Sequence, residues 1–325
     1  MAQVNNNGAI GVDIGGTKIA AGMVGRNGKI EHQVRAPMNC HADAATAMAA
    51  VVSAIDQVAA KIKEMSGDDG AVRGIGICSP GPLDPKTGVV INPPNLPCWR
   101  NFPLAAEISR VYSLPVKLDN DANAAALAEA LWGSGRDYRN VFYVTIGTGI
   151  GTGIVFDGQI YHGRTGAAGE GGHVTIDYRG PRCVCGKRGC IEVLASGPAI
   201  ARRAQDKFRE NPALDSAIRH YVNGNISGIT SEIVGKAYSA GDRIALDVLR
   251  ETIELLSVWL GNMVDVLEPD VIIVGGGVAS ILRPLLGEIR ERIPACCVNT
   301  RCQEIPILPA SYGVDSGIAG GAALI

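Results

Sequence analysis

Asp13-Ile14-Gly15-Gly16-Thr17-Lys18 ends a short apolar run, residues 9–14, and leads directly into a second one, residues 19–24. Two strands joined by a glycine-rich tip predict a β-hairpin. Backbone N–H groups and a threonine hydroxyl at such a tip can bind phosphate oxygens, although a tight turn without a ligand explains the pattern equally well. The unit is not a Walker P-loop, because a strand rather than a helix follows the glycines.

A second unit of the same kind occurs in the middle of the chain. Thr145-Ile146-Gly147-Thr148-Gly149 ends the apolar run 141–146 and precedes another strand. The repeat predicts two related α/β lobes, each offering a phosphate-binding hairpin to a shared cleft. We assign residues 1–119 to a small lobe, with a closing helix at 312–325 packing back on it. Residues 120–311 form the larger lobe.

The length, charge and cysteine content of the chain argue against several classes of protein. The chain has 325 residues, more than one ordinary core holds, and a formal net charge of −2, which favours neither a nucleic-acid nor a membrane-surface binder. No apolar run approaches membrane-spanning length, and the polar segment 1–7 lacks signal-peptide features. Nine cysteines, an odd number, argue against a disulfide framework. These properties predict a cytoplasmic enzyme.

Leu118-Asp119-Asn120-Asp121 forms a corner between a predicted strand, residues 114–118, and a predicted helix, residues 123–132. A helix N-terminus favours negative charge and leaves backbone N–H groups free. A carboxylate there is held in place, so Asp121 is the candidate catalytic base. Asp119 is equally acidic but receives no role.

The strongest local signal is for a metal. Cys183, Cys185 and Cys190 lie within eight residues, downstream of His173. Three thiolates and an imidazole form a closed tetrahedral zinc set, which leaves no position for a reacting water. The pattern therefore predicts a structural zinc in a loop at residues 170–192, and three reduced thiols are the alternative.

Other polar or glycine-rich positions are weaker candidates. Glu170 and Glu192, held by a zinc loop, would accept hydrogen bonds from vicinal hydroxyls or else form part of a solvated surface. Asn95 lies in a proline-rich loop and suits hydroxyl recognition or turn formation. Gly276 and Gly277 separate a strand from a helix and would let a flat ring or phosphate approach the backbone. They do not form a dinucleotide fingerprint, so a dehydrogenase is disfavoured.

Together these motifs resemble the ROK family of sugar kinases over nearly the whole chain. The residues that carry the resemblance are Asp13-Ile14-Gly15-Gly16-Thr17-Lys18, Asn120-Asp121-Ala122-Asn123-Ala124-Ala125, Gly147-Thr148-Gly149-Ile150-Gly151, Glu170-Gly171-Gly172-His173, and the cysteine segment from Cys183 to Glu192. The family also contains repressors with an N-terminal helix-turn-helix. Only twelve residues precede Asp13, so the kinase branch is expected.

The resemblance implies a two-lobed α/β fold of the actin/hexokinase-like (ribonuclease H-like) type with an interlobe active site. It implies that Asp121 takes the proton from a sugar 6-hydroxyl, and that Asp13 lies beside Mg²⁺. The sugar contacts it implies are Asn95, Asn120, Asp121, Glu170, His173 and Glu192. The residues it places at ATP are Asp13, Gly15, Gly16, Thr17, Lys18, Thr148, Gly149, Gly276 and Gly277, with Lys18 the least defined. His173 would bind zinc through one ring nitrogen and face the sugar with the other.

The expected activity is ATP-dependent phosphorylation of a hexose, with glucose ahead of N-acetylglucosamine, N-acetylmannosamine and mannose. A non-catalytic sugar-binding regulator is the alternative class. A polyphosphate donor is disfavoured because no long basic stripe is evident. Expected partners are ATP with Mg²⁺, the hexose and structural Zn²⁺, with no nucleic acid and no membrane. The long helices suit a homodimer or homotetramer.

Overall fold

A computed structural model describes residues 8–66 and 72–325; the polar segment 1–7 lies outside them. The strands are β1 (Ala9–Ile14), β2 (Lys18–Val24), β3 (Ile30–Pro37), β4 (Ile75–Ser79), β5 (Leu83–Asp84), β6 (Val89–Val90), β7 (Val116–Asn120), β8 (Asn140–Ile146), β9 (Ile150–Phe156), β10 (Gln159–Ile160), β11 (Val271–Gly275) and β12 (Ile307–Pro309). The helices are α1 (Ala44–Ser66), α2 (Leu104–Tyr112), α3 (Asp121–Leu131), α4 (Ile191–Ala195), α5 (Gly197–Glu210), α6 (Ala217–Tyr221), α7 (Ser231–Ser239), α8 (Arg243–Leu267), α9 (Gly277–Leu282), α10 (Leu286–Arg292) and α11 (Ser316–Ala323).

The first sheet has the strand order β3-β2-β1-β4-β7. Strands β1, β2 and β3 are antiparallel neighbours, whereas β1, β4 and β7 run parallel. Alternate residues of β2 are buried on opposite faces: Ile19 and Met23 join the core that includes α1, whereas Ala20 and Val24 pack with Ile318 of α11. Successive side chains of a strand point to opposite faces of the sheet, and both faces are covered here, so nearly every residue of β2 is buried.

Helix α11 packs against the first sheet at very short distance. A Cβ atom at Gly11 would overlap the Ile318 carbonyl oxygen, and one at Gly76 would overlap the Gly321 carbonyl oxygen. Gly320 makes the same kind of approach to Ala124 of α3. The absence of side chains at these glycines lets α3 and α11 approach closely.

The second sheet has the order β10-β9-β8-β11-β12, and β11 and β12 are parallel. Helix α8 contacts α4, α5, α7 and α10. Its Trp259 is fully buried, lies 6.0 Å from the ring of Phe142, and donates through Nε1 to the Gly171 carbonyl oxygen at 3.1 Å. This bond ties the start of the predicted zinc loop to the longest helix.

The chain divides into two compact units. Unit 1 comprises residues 1–141, 153–169 and 310–325, and unit 2 comprises residues 142–152 and 170–309. Helix α11 belongs to unit 1, where it packs on β1, β4 and α3. Residues 120–141 also group with unit 1, because α3 packs on α11, whereas the sequence analysis placed them in the larger lobe. The predicted lobes themselves remain a prediction.

One segment corrects the expectation about apolar runs. Within α1, Ala44–Glu64 is long and apolar enough to cross a membrane by length and composition. Val51, Ile55 and Ile62 lie on one face of this helix and are buried in the core of unit 1. Core helices pass the same test, so this stretch is weak evidence for a membrane span.

Candidate functional site

The predicted acidic residues of unit 1 lie along one edge of the first sheet. Because β1, β4 and β7 are parallel, their carboxyl ends meet at the same edge. Asp13 lies at the end of β1, and Asp121 directly follows β7. Cys78 of β4 lies between these two strands. Burial raises the pKa of its thiol, and the carboxylates of Asp13, Asp121 and Asp119 raise it further. We call this place, with Asp13, Asn120 and Asp121, the carboxyl edge.

The turn from β7 to α3 presents Asp121. Asn120 is the N-cap of α3, and its Oδ1 accepts from the backbone N–H of Ala122 at 2.9 Å and of Asn123 at 3.4 Å. The predicted helix start at residue 123 is therefore two residues late, because Asn120 supplies the cap. Asp121 is exposed, and its Oδ1 accepts from Ala122 N–H at 2.8 Å. Since the Asn120 oxygen caps the helix, its Nδ2 is the group that can donate to a ligand.

The first glycine-rich hairpin has the predicted form. Ile14 pairs with Ile19 across antiparallel strands, and Gly15 N–H donates to the Lys18 carbonyl oxygen at 2.9 Å. A Cβ atom at Gly16 would lie 2.7 Å from the carbonyl oxygen of Asn95. The hairpin tip, with exposed Thr17, and the loop that carries Asn95 are therefore in direct backbone contact within unit 1.

Asp13 is more enclosed than Asp121. Burial raises its pKa, while a hydrogen bond from Cys78 and the charges of Lys18 and Arg35 oppose the shift. A Cβ atom at Gly317, in the first turn of α11, would overlap the Asp13 carboxyl group. A negative charge at that place faces the favourable end of the helix dipole.

Four metal-ligating side chains meet in unit 2. The ligand atoms of His173, Cys183, Cys185 and Cys190 all lie within 4.8 Å of one another. The Sγ atoms of Cys185 and Cys190 are 3.7 Å apart, and Cys183 Sγ is 3.5 Å from His173 Nδ1. Neighbouring ligand atoms of a tetrahedral Zn²⁺ site lie about 3.5–3.8 Å apart, given Zn–S bonds of about 2.3 Å and Zn–N bonds of about 2.0 Å. The donor set and its spacing therefore fit zinc.

The loop 170–192 places its carboxylates differently. Glu170 precedes a short 3-10 turn, Gly171–His173, and is exposed. Glu192 lies in the first turn of α4, where its Oε2 accepts from Ile150 N–H at 3.0 Å and its Oε1 is 3.9 Å from His173 Nδ1. Since Nδ1 faces the thiols, His173 keeps Nε2 for another partner. Glu192 thus connects the candidate metal cluster to the second glycine-rich hairpin.

A cavity of about 460 Å³ in unit 2 is lined by two of the predicted nucleotide residues. It is bordered by the hairpin tip and by the first residues of α5, α7 and α9: Gly147, Thr148, Gly197, Pro198, Ala201, Ile229, Thr230, Ser231, Glu232, Gly277 and Val278. Helix N-termini offer free N–H groups and favour phosphate, and α5 and α7 are long enough to contribute. Predicted Thr148 and Gly277 meet here. Gly149 does not line the cavity, and a Cβ atom there would lie 2.5 Å from Oε2 of Glu192.

Gly276 shapes the same region without lining the cavity. It has a φ of 91°, and a Cβ atom there would overlap the Ile146 backbone. This position therefore requires glycine. No local sequence pattern indicates that Ala201 and residues 229–232 line this cavity, because only the folded chain shows which helix N-termini meet the hairpin.

The predicted site residues thus form two sets. Unit 1 holds Asp13, Gly15, Gly16, Thr17, Lys18, Asn95, Asn120 and Asp121. Unit 2 holds Thr148, Gly149, Glu170, His173, Glu192, Gly276, Gly277 and the three cysteines. Their individual roles stay predictions.

Known proteins are similar to this chain over nearly its whole length. The model of the ROK family matches residues 9–325. A glucokinase of Thermotoga maritima is 32% identical over 97% of this chain and 96% of its own. A xylose repressor of Bacillus subtilis is 29% identical over 83% of this chain and 65% of its own.

A solved structure gives the same result for the fold. The ROK family glucokinase from Streptomyces griseus, in complex with glucose and AMPPNP, has a TM-score of 0.81 and 32% identity, covering 97% of this chain and 98% of its own. The predicted α/β fold of the actin/hexokinase-like type is confirmed. The chain belongs to the ROK family.

Proposed function

We propose that this chain is an ATP-dependent hexose kinase that phosphorylates the 6-hydroxyl of glucose, with Asp121 as the general base. The observation that carries the proposal is the carboxyl edge of unit 1. An exposed carboxylate begins α3, an amide directed by its capping bond precedes it, and Asp13 shares the same edge. A kinase for an alcohol needs a fixed base and a second carboxylate near the phosphates more than it needs covalent chemistry.

The cavity of unit 2 supports ATP as the phosphate donor. The cavity beside Thr148 and Gly277 combines a glycine-rich tip with two helix N-termini, which suits a nucleotide. The glucokinase of Streptomyces griseus was solved with glucose and AMPPNP, an ATP analogue. We assign ATP to this cavity.

The oxygen of the sugar 6-hydroxyl forms a bond to the γ-phosphorus as the bond from that phosphorus to the β,γ-bridging oxygen breaks, and ADP leaves with the electron pair. Asp121 accepts the hydroxyl proton through its carboxylate. Asn120 Nδ2 donates to the sugar and fixes the hydroxyl relative to Asp121. Glu170, Glu192, Asn95 and His173 Nε2 bind the other hydroxyls.

Two metal ions have separate parts in this proposal. Mg²⁺ bound with ATP would neutralise phosphate charge, and Asp13, an oxygen ligand of the kind Mg²⁺ prefers, would accept hydrogen bonds from its waters. Zn²⁺ would be held by His173, Cys183, Cys185 and Cys190 and would order the loop 170–192. With four protein ligands it has no open position, so its part is structural.

An ADP-coupled assay with ATP and a sugar panel tests the proposal. Glucose is expected to give the highest kcat/KM, ahead of mannose, N-acetylglucosamine and N-acetylmannosamine. A higher kcat/KM for an N-acetylhexosamine would reassign the substrate. No sugar-dependent ADP formation with any of them would refute the kinase.

The similarity to xylose repressors favours one second candidate, a sugar-binding regulator without catalysis. Calorimetry separates the two. A regulator binds a sugar without turning over ATP, whereas the kinase produces one ADP for each sugar phosphate formed.

A further inference from the structure

A hydrogen-bonded pair of a buried aspartate and a half-buried histidine lies directly behind the proposed catalytic turn. Asp119 is only 3% exposed, and its Oδ2 lies 2.6 Å from Nε2 of His162. Its Oδ1 accepts from the backbone N–H of Asn120 at 2.7 Å and from Nδ2 of Asn123 at 3.2 Å. Both carboxylate oxygens therefore have partners, as a buried charge requires.

These contacts hold both sides of the turn that presents Asp121. Asp119 binds Asn120, the last residue of β7, and Asn123, the third residue of α3. Asn120 in turn caps the same helix through its Oδ1. A shift in the Asp119 carboxylate would move Asn120 and Asp121 together, because both follow it directly in the chain.

His162 reaches this carboxylate from the segment after β10. Its side chain is 29% exposed and borders an open cavity of about 460 Å³ in unit 1, so it can exchange protons with solvent. The bond to Asp119 raises the pKa of His162, while partial burial and the charge of Lys86 oppose the rise. Asp119, His162, Lys86 and Lys117 are the charged or titratable side chains that line this cavity.

We propose that Asp119 and His162 are positioning residues that hold the Asn120–Asp121 turn in its reactive geometry. This inference rests on the proposed function of Asp121. It also restores a role to Asp119, to which the sequence analysis gave none. An imidazolium donates a stronger hydrogen bond to a carboxylate than a neutral imidazole does. The His162–Asp119 hydrogen bond that positions the turn is therefore strongest at pH values below the raised pKa of His162, and it weakens as the pH rises through that pKa.

The test compares kcat across pH for the wild type, His162→Gln and His162→Leu. Glutamine keeps a neutral N–H donor near the position of Nε2, whereas leucine removes it. We expect His162→Leu to lower kcat about tenfold, since small displacements of reacting groups cost this much or more. We expect His162→Gln to recover most of that loss. Any requirement for ionised Asp121 affects all three proteins alike, so ratios of kcat isolate His162.

The pH dependence gives a readout that a structural role would not move. The ratio of wild-type to His162→Gln kcat should rise about threefold from pH 9 to pH 6, as the charge-assisted bond forms. His220 pairs with Asp215 at 3.1 Å on the surface of unit 2, and His220→Gln is the matched control with an unchanged profile.

The outcomes separate this inference from the proposed function. A wild type active on hexoses, with kcat and pH profile unchanged in both His162 variants, would overturn the positioning role alone. A lower melting temperature with unchanged kcat would overturn it as well. If the wild type phosphorylates no hexose, both proposals are wrong. Tenfold loss in His162→Leu, with recovery in His162→Gln, supports the inference.

Discussion

The carboxyl edge of unit 1 and the loop 170–192 of unit 2 hold proposed site residues by different means. At the edge, Asp13 lies near the end of β1 and Asp121 directly follows β7. Glycines of β1 and β4 let α11 pack directly against the same sheet. The loop has only isolated bridges, such as Thr175 with Cys190, together with hydrogen bonds of turns such as Gly186 N–H to the Cys183 carbonyl oxygen, and Val184 is 95% exposed. A loop with so little apolar burial needs another source of order, and four ligand atoms within 4.8 Å offer one.

The carboxyl edge and the loop should therefore be sensitive to different kinds of substitution. The carboxyl edge depends on close packing, so substitutions that enlarge a packed side chain should disturb it. If the proposed zinc orders the loop, loss of a ligand should disturb it while leaving the first sheet intact.

The largest effect is expected from breaking the metal cluster. Cys190→Ser, or treatment with a chelator, should remove bound zinc and weaken hexose binding roughly 100-fold, because the loop would lose its order. Metal analysis and calorimetry measure both. Hydrogen exchange should rise in residues 170–192 and stay unchanged in β1 and β4.

Cys297→Ser is the matched control, since this half-buried cysteine of unit 2 lies outside the cluster. Full hexose affinity in a zinc-free Cys190→Ser protein would show that the loop needs no metal.

A change of volume at the edge should have the next largest effect. Gly76→Ala places a methyl group against the Gly321 carbonyl oxygen, so either α11 or β4 must move. We expect a loss of about 3 kcal/mol in the free energy of unfolding. Urea denaturation measures it, and Gly287→Ala, where a Cβ meets no atom within 4 Å, is the control. Equal stability of both variants would contradict the packing account.

The smallest predicted effect concerns Asp13. Because burial raises its pKa, its contribution to stability is fully present below the unfolded pKa of about 4 and is lost as the pH rises through the folded value. Asp13→Asn should therefore raise the melting temperature at pH 7, and the gain should disappear in acid. Thermal unfolding at both pH values measures this.

Asp43→Asn is a control of opposite sign. A bond from the Thr46 N–H holds the pKa of Asp43 below its usual value, so its stabilisation is present at pH 7 and is lost in acid. Its replacement should lower the melting temperature at pH 7. A lower melting temperature for Asp13→Asn at pH 7 would mean that its carboxylate is well compensated.

The sequence predicted elements whose boundaries local chemistry determines. The corner at Leu118-Asp119-Asn120-Asp121 is one case: a strand ends and a helix begins there, and the Asn120 side chain caps that helix. Both glycine-rich tips, and the cysteine–histidine cluster, followed from residue types and spacing. These signals are short-range, so one sequence is enough to detect them.

Other features depended on contacts distant in the chain. Asp119 gained a role only through His162, 43 residues away. Residues 229–232 line the cavity beside Thr148 because α7 starts next to the hairpin tip, which no local pattern indicates. Grouping of residues 120–141 with unit 1 likewise depends on the packing of α3 against α11.

The most direct test of the central claim is single-turnover phosphoryl transfer by Asp121→Asn with bound glucose and ATP. This exchange removes the base but keeps the size of the side chain. The account predicts that the rate falls at least about 100-fold, the scale of general-base catalysis, while glucose affinity measured by calorimetry stays within a few-fold of the wild type. A near-normal rate with glucose bound would contradict the account.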